Sequence, residues 1–254
     1  MSDARTPIIR VHELCAAYRE HVIFEKVSFE VHAGEVLVIL GASGSGKSTL
    51  LKHMIGLYTP TSGDVRIEGR SIVQADAGER RELARRFGVA YQSGALFGSM
   101  TLLENVRLPL EELTDLPRDA IDAIAASKLK LVQLEGFEQY MPAQLSGGMK
   151  KRAALARAMA LDPAILFLDE PSAGLDPITS AELDRTLLRL RDLMEVTLVL
   201  VSHELASIYE IADRVILLDA RTKSILASGP PCELRDHAED PWVRSFFRRE
   251  VTTT

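Results

Sequence analysis

The sequence is poor in cysteine, in aromatic residues and in long apolar runs. Its 254 residues contain two cysteines, Cys15 and Cys232, and one tryptophan. The cysteine spacing suggests neither a metal site nor a disulfide framework, which favours a reducing compartment. No stretch approaches the roughly 20 apolar residues that cross a bilayer, and residues 1–7 lack the apolar core of a signal peptide. We therefore expect any membrane role to come through a partner chain.

An excess of basic residues is also missing. The formal net charge is -6, with 26% charged residues, and this balance argues against a nucleic-acid partner. Glutamates are mixed with the arginines of residues 79–86, so we predict a solvated helix face there. The hydrophobic fraction of 46% suffices for a sizeable core, and we expect a single domain over residues 1–254.

Strand-like segments flank a helix-rich middle region. Strands are predicted at residues 8–11, 27–31, 36–40, 165–168 and 196–201. From about 95 to about 160, apolar residues such as Leu103, Val106 and Leu110 recur at helical spacing, which predicts an inserted helical subdomain. Because strands and helices alternate outside this insertion, we predict an α/β fold with a mainly parallel sheet.

A glycine-rich loop between a predicted strand and a predicted helix is the strongest local motif. It reads Gly41-Ala42-Ser43-Gly44-Ser45-Gly46-Lys47-Ser48-Thr49 and matches the P-loop pattern. Glycines let successive N–H groups turn toward phosphate oxygens, and the next helix adds its positive end. Lys47 is predicted to reach the β- and γ-phosphates of ATP, and the Ser48 hydroxyl to ligate Mg²⁺.

Two adjacent carboxylates end a later apolar strand. Residues 165–168 are followed by Asp169 and Glu170. Asp169 is suited to hold the metal, directly or through water, and Glu170 to polarise the attacking water as general base. By itself this pair is also typical of an ordinary strand end, and the P-loop is what favours the catalytic interpretation.

A third motif stands at the start of an alanine-rich basic helix. Ser146, Gly147 and Gly148 would form a second anion-binding helix end, with a hydroxyl and free N–H groups. Together with the P-loop, this segment resembles the signature motif of ABC ATPases, and the resemblance extends over nearly the whole chain. It implies a P-loop NTPase core, an N-terminal antiparallel β-subdomain and the inserted helical subdomain.

The resemblance assigns roles to further residues. Gln92 matches the Q-loop glutamine near Mg²⁺ and the attacking water, and Asp176 matches the D-loop. His203 matches the switch histidine at the γ-phosphate. Tyr18 stands where the family places an adenine-stacking aromatic, although a core or surface tyrosine is also compatible.

The family arrangement implies a head-to-tail homodimer that holds two ATP molecules. In that arrangement Lys47, Ser48 and the other phosphate-binding residues of one chain face Ser146, Gly147 and Gly148 of the other. Closure would be driven by the γ-phosphate and released by hydrolysis.

Three segments carry a narrower resemblance: residues 91–97, residues 174–181, and the Leu145–Met149 signature with the basic pair that follows it. They resemble the MlaF-like ATPases of Mla/Mce lipid transport systems. This resemblance implies a place at the cytoplasmic face of the inner membrane, a multi-span permease and a periplasmic Mce-domain lipid-binding protein. A STAS-like regulatory subunit is a further candidate partner. The permease would dock on Leu96, Phe97 and Met100, which are also compatible with packing under the helical subdomain.

Other interpretations remain open at this point. The chain could serve another importer, or a non-transport ABC system of the cell-division, assembly or DNA-repair type. Between Gly41 and Gly148 there is neither the heptad run nor the cysteine cluster of DNA-type members. Near the C-terminus, Trp242 and Phe246 predict a helix with an apolar stripe within a docking tail of about 240–254. That helix could dock on a partner or on its own domain.

Overall fold

The computed structural model describes residues 7–19 and 21–250. The strands are β1 (Pro7–Tyr18), β2 (His21–His32), β3 (Val36–Gly41), β4 (Ser62–Ile67), β5 (Arg70–Ser71), β6 (Phe87–Ala90), β7 (Ile165–Asp169), β8 (Thr197–Val201), β9 (Arg214–Asp219) and β10 (Ser224–Gly229). The helices are α1 (Lys47–Met54), α2 (Ala77–Ala84), α3 (Leu102–Leu113), α4 (Arg118–Leu131), α5 (Gly147–Ala158), α6 (Pro177–Met194), α7 (Leu205–Ile211), α8 (Pro231–His237) and α9 (Pro241–Arg248). Within the described residues, no helix has both the length and the apolar character needed to span a membrane.

The chain divides into two compact units. Unit 1 comprises the described residues of the ranges 1–75 and 199–254, and unit 2 comprises residues 76–198. The boundary falls inside β8. The predicted organisation as one domain stays a prediction, and residues 251–254 of the predicted tail lie outside the described part.

Unit 1 contains an antiparallel sheet with the strand order β2-β1-β4-β5. Along β1, Ile9 and Val11 are buried while Arg10 and His12 are exposed, which is the period-two pattern of a sheet with one covered face. β1 pairs antiparallel with both β2 and β4. The predicted antiparallel β-subdomain is confirmed.

The P-loop strand of unit 1 is buried along its whole length. Every residue of β3 is buried, as expected for a central strand covered on both faces. β3 pairs in parallel with β9, and β10 adds an antiparallel edge beyond β9. This arrangement fixes Gly41, the last residue of β3, at the carboxyl end of the strand.

Unit 2 joins parallel strands to the helical region. β6 and β7 pair in parallel, with Ala90 opposite Leu168. The range 95–160 contains the helices α3, α4 and α5, as predicted. The buried Arg107 of α3 pairs with Asp122 of α4 at 3.1 Å, which joins these two helices. The predicted α/β fold, with its mainly parallel sheet and inserted helical region, is confirmed.

The C-terminal helix predicted from Trp242 and Phe246 is present as α9. Its buried residues are Val243 and Phe247, whereas Trp242 and Phe246 are half-buried and contact each other with ring centroids 5.6 Å apart. The Tyr209 hydroxyl of α7 donates a hydrogen bond to the Phe247 carbonyl at 2.8 Å. The helix therefore packs on its own unit, one of the two arrangements that the sequence left open.

Candidate nucleotide-binding site

The P-loop in unit 1 runs from Gly41, at the end of β3, into α1. Gly41 has a φ of 151°, and a Cβ there would lie 2.5 Å from the Leu218 carbonyl oxygen. The Lys47 ammonium donates hydrogen bonds to the carbonyls of Gly41 at 2.9 Å and Ala42 at 3.1 Å. These contacts curl the loop so that its backbone forms a compact turn around the lysine.

The start of α1 is shaped for an anion. Gly46 is the N-cap, in the left-handed conformation, and no side chain caps the helix there. A Cβ on Gly46 would lie 2.7 Å from Cγ2 of Ile23, so glycine is required by space as well as by φ. Uncapped N–H groups at a helix start are suited to bind phosphate.

The other predicted P-loop residues differ in exposure. Ser43 and Gly44 are exposed, Ser48 and Thr49 are half-buried, and Ser45 is only 2% exposed. The Ser45 hydroxyl therefore lies inside the loop, so any phosphate contact by this residue would have to come through its backbone.

Unit 1 also carries two predicted residues outside the P-loop. His203 is exposed just beyond β8, and the preceding Ser202 donates its N–H to the Ile39 carbonyl of β3 at 3.3 Å. Tyr18 ends β1 with 69% of its surface exposed. Such an open aromatic face is compatible with adenine stacking.

Unit 2 brings Gln92, Asp169 and Glu170 to one edge of a sheet. Because β6 and β7 are parallel neighbours, the residues that follow them lie at the same end. Asp169 is buried with 8% exposure, and Gln92 is exposed. Glu170 has a φ of 50°, a left-handed conformation that costs energy for a residue with a Cβ.

A lysine that sequence reasoning missed joins these residues. The Lys151 ammonium of α5 donates to the Gln92 carbonyl at 2.6 Å and to the Glu170 carbonyl at 3.0 Å. Burial lowers the pKa of Lys151, while the charges of Glu170 and Asp169 oppose that shift. The basic pair after the signature motif was visible in the sequence, but nothing there indicated what it would contact.

The signature segment forms the start of α5. The Ser146 hydroxyl caps the helix by accepting the Met149 N–H at 3.3 Å, and Ser146 and Gly147 are exposed. Gly148 is buried, and a Cβ there would lie 2.5 Å from Cγ2 of Thr179 in α6. The exposed helix end predicted from the sequence is therefore present.

Asp176 serves as the N-cap of α6. Its carboxylate accepts the N–H groups of Ile178 at 3.0 Å and Thr179 at 3.1 Å, and the Thr179 hydroxyl at 2.6 Å. The bonds from Thr179 hold the pKa of Asp176 below its usual value. The residue is exposed, and its predicted nucleotide contact stays a prediction.

The residues predicted to dock a permease follow the Q-loop in unit 2. Phe97 is 49% exposed, and Leu96 and Met100 are half-buried. The fully buried Asn105 holds this loop: its amide oxygen accepts the Phe97 N–H at 2.8 Å and its nitrogen donates to the carbonyls of Phe97 and Met100. Sequence reasoning missed Asn105, although an amide on an apolar helix face was a usable signal.

The ABC transporter family model matches residues 24–173, and the chain belongs to this family. It is an ATP-binding and ATP-hydrolysing subunit of the ABC class. Among its relatives is the Escherichia coli K12 intermembrane phospholipid transport system ATP-binding protein MlaF, 39% identical over 97% of this chain and 91% of that protein. The Haemophilus influenzae MlaF is 36% identical over 96% of this chain and 91% of its own length. The Mycobacterium leprae probable ribonucleotide transport ATP-binding protein mkl is 40% identical over 96% of this chain and 71% of that protein.

Solved structures of ABC cassettes share the fold. The dimeric bacterial ABC transporter cassette MJ0796 superposes with a TM-score of 0.80 at 30% identity, over 87% of this chain and 98% of the other. Another structure of that cassette is a dimeric post-hydrolysis state bound to ADP and Pi. The cbiO1 protein of Clostridium perfringens, part of the cbiONQ transporter complex, gives a TM-score of 0.82 at 27% identity, over 92% of each chain.

Proposed function

We propose that this ABC ATPase powers phospholipid transport across the inner membrane and periplasm in a system of the Mla/Mce type. The observation that carries the proposal is the match to MlaF proteins, which extends over nearly the whole of both chains. The mkl relatives are named as probable ribonucleotide transport proteins. This chain, however, spans only 71% of the Mycobacterium leprae protein and 66% of the Mycobacterium tuberculosis H37Rv protein. The more complete match to the MlaF proteins favours phospholipid transport over ribonucleotide transport.

In the proposed mechanism, ATP phosphates bind to the backbone of the P-loop. The N–H groups of Gly44 and Gly46 and the first turn of α1 supply donors, and Lys47 supplies the charge for the β- and γ-phosphates. Gly41, Ser43, Ser45 and Thr49 complete the loop. The exposed ring of Tyr18 stacks on the adenine.

The proposed metal is Mg²⁺, held with help from the nucleotide. Among the described residues, no group of three or more His, Cys, Asp or Glu could hold a metal alone. The Ser48 hydroxyl, the Gln92 amide oxygen and the Asp169 carboxylate are hard oxygen donors, which Mg²⁺ prefers in combination with phosphates. The donor set therefore fits Mg²⁺, whose charge would neutralise the phosphates.

Hydrolysis needs a base and a contact to the γ-phosphate. Glu170 accepts a proton from the attacking water, which Gln92 helps to orient, and His203 contacts the γ-phosphate. Ser146, Gly147 and Gly148 complete the site of a second copy in a head-to-tail homodimer, with Asp176 beside them. The exposure of Ser146 and Gly147 at the start of α5 supports this assignment, since the N-terminal end of a helix attracts anions.

The proposed location is the cytoplasmic face of the inner membrane, through a multi-span permease that docks on Leu96, Phe97 and Met100. A periplasmic Mce-domain lipid-binding protein completes the complex, and a STAS-like subunit is a candidate regulator. Phe97 supports this surface, because a large apolar side chain is held half-exposed by the buried Asn105.

The test is affinity purification of the chain from membranes, followed by protein and lipid mass spectrometry. We expect a multi-span permease, an Mce-domain protein and bound phospholipid. Phe97→Asp should remove the permease, because a charge would be buried at the docking surface. Leu193→Asp is the matched control, since Leu193 is also exposed, at 68%, on unit 2. Recovery of soluble partners only, or of a permease that binds ribonucleotides, would contradict the proposal.

A further inference from the structure

Helix α5 directs two cationic side chains at main-chain carbonyls of other segments. Lys151 donates to the carbonyls of Gln92 and Glu170, at 2.6 and 3.0 Å. Arg157 donates from Nη1 to the Ala95 carbonyl at 2.7 Å and from Nη2 to the Gly94 carbonyl at 3.0 Å. We call Lys151 and Arg157 the α5 clamp. It contacts the Q-loop at residues 92, 94 and 95, and also the residue that follows β7.

Three of the four carbonyls belong to residues with left-handed backbone. The φ values are 50° at Glu170, 75° at Gly94 and 47° at Ala95. Glu170 and Ala95 carry a Cβ, so this conformation is strained and persists only where the surroundings impose it. Hydrogen bonds from charged donors are among the strongest that a carbonyl can accept. The α5 clamp therefore stabilises the backbone shape of both segments.

The surroundings of the two cations agree with this role. Both are half-buried, and this burial lowers the pKa of Arg157 as it does that of Lys151. A cation that loses part of its hydration needs oxygen partners to replace the lost water. The partners of Arg157 are backbone oxygens of a single short segment, which is the arrangement expected for a fixed loop.

Helix α5 lies between two regions with different assignments in the proposed function. Ser146, at its N-terminus, faces the ATP of the second copy, and Leu96 and Phe97, in the loop after Gln92, face the permease. The carbonyl, not the side chain, of Gln92 is bound, so its amide keeps its exposed position. The α5 clamp is thus the direct connection between these two assigned regions inside unit 2.

We propose that Lys151 and Arg157 are positioning residues that lock residues 92–95 and Glu170 to α5, so that a displacement of the Q-loop carries Glu170 and the Ser146 end of α5 with it. This rests on the proposed function for what displaces the loop. The lock itself does not depend on which substrate the transporter moves.

The test compares Lys151→Met with Lys150→Met in the full chain. Lys150 precedes Lys151 on α5, and its side chain makes no hydrogen bond or ion pair within the described residues, so it is the matched control. For Lys151→Met we expect kcat to fall about tenfold or more, because a small misplacement of reacting groups is costly. The KM for ATP should change less than about twofold, since the P-loop is untouched.

Rescue and hydrogen exchange separate positioning from simple stability. Lys151→Arg keeps a charged donor and should recover much of kcat. Arg157→Lys cannot bridge two adjacent carbonyls in the same way and should accelerate amide exchange in residues 92–97. If Lys151→Met does not fold, Lys151→Gln replaces it, because its amide keeps one donor without the charge.

Three results would overturn the proposal. They are a wild-type kcat in Lys151→Met, an equal loss in Lys150→Met, and exchange of residues 92–97 that is unchanged in Arg157→Lys. These readouts use the ATPase alone. If the purification experiment contradicted the lipid assignment, the kinetic and exchange results would still test the α5 clamp. A failure of the proposed function and a failure of the α5 clamp are therefore distinguishable.

Discussion

At the scale of single residues, Asp169 and Glu170 are sequence neighbours with different surroundings. Asp169 ends a strand whose residues are all buried, whereas Glu170 is only half-buried. The left-handed backbone of Glu170 turns the chain sharply at this point. Two carboxylates in different surroundings are suited to different tasks, one to the metal and one to proton transfer.

Replacement of Glu170 by Gln tests the base. The amide keeps the size of the side chain but cannot accept a proton, so we expect kcat to fall about 10²- to 10⁴-fold. ATP binding, measured with a fluorescent nucleotide, should stay within about twofold of wild type. Glu195→Gln is the control, because Glu195 also has a left-handed backbone in unit 2, with a φ of 53°. Turnover at the wild-type rate in Glu170→Gln would exclude Glu170 as the base.

At the scale of elements, α5 depends on close packing against α6. Gly148 does not have a positive φ, so the backbone does not require glycine there. The requirement comes from Cγ2 of Thr179, which an added Cβ would approach to 2.5 Å. Asp176 holds Thr179 in place through the hydroxyl, so the D-loop cap and the signature helix form one packed unit.

The substitution Gly148→Ala should therefore destabilise the chain by about 1–3 kcal/mol, the usual cost of overpacking. The double variant Gly148→Ala with Thr179→Ser should recover most of this loss, because serine lacks Cγ2 and keeps the hydroxyl bound to Asp176. Thermal unfolding measures the effect. Gly98→Ala is the control, since a Cβ there meets nothing within 4 Å. Equal losses in the single and double variants would show that Thr179 is not the obstacle.

At the scale of the whole molecule, the chain carries one P-loop and one signature segment. Its solved neighbours include dimeric cassettes. If each ATP site takes its P-loop from one copy and its signature segment from the other, a defect in either segment can be complemented by a partner.

Mixing two inactive variants tests this arrangement. Lys47→Ala lacks a working P-loop, and Ser146→Arg blocks the site of the neighbouring copy, so we expect each homodimer to be inactive. A mixed dimer retains one intact site, and random pairing should restore about a quarter of the wild-type rate. Phosphate release from the mixture is the measurement. No recovery on mixing would show that the sites do not exchange segments.

The sequence alone determined the motifs whose function depends on contiguous residues. The segment from Gly41 to Thr49 predicts a phosphate loop because glycine, lysine and hydroxyl residues occur at fixed local spacing. The burial of β3 and β7 was also predictable from contiguous residues, because continuous apolar runs are typical of strands covered on both faces. The family was inferred from the P-loop together with the signature segment at Ser146–Gly148, and the family and the fold class are confirmed.

The contacts that join distant segments could not be predicted from the sequence. Lys151 meets Gln92 across 59 positions and Arg157 meets Ala95 across 62, and no local pattern encodes such pairs. The apolar stripe of α9 was predicted at Trp242 and Phe246, but Val243 and Phe247 are the buried residues. The reason is that helical spacing gives the period of a stripe, whereas the surface it packs on decides which residues it buries.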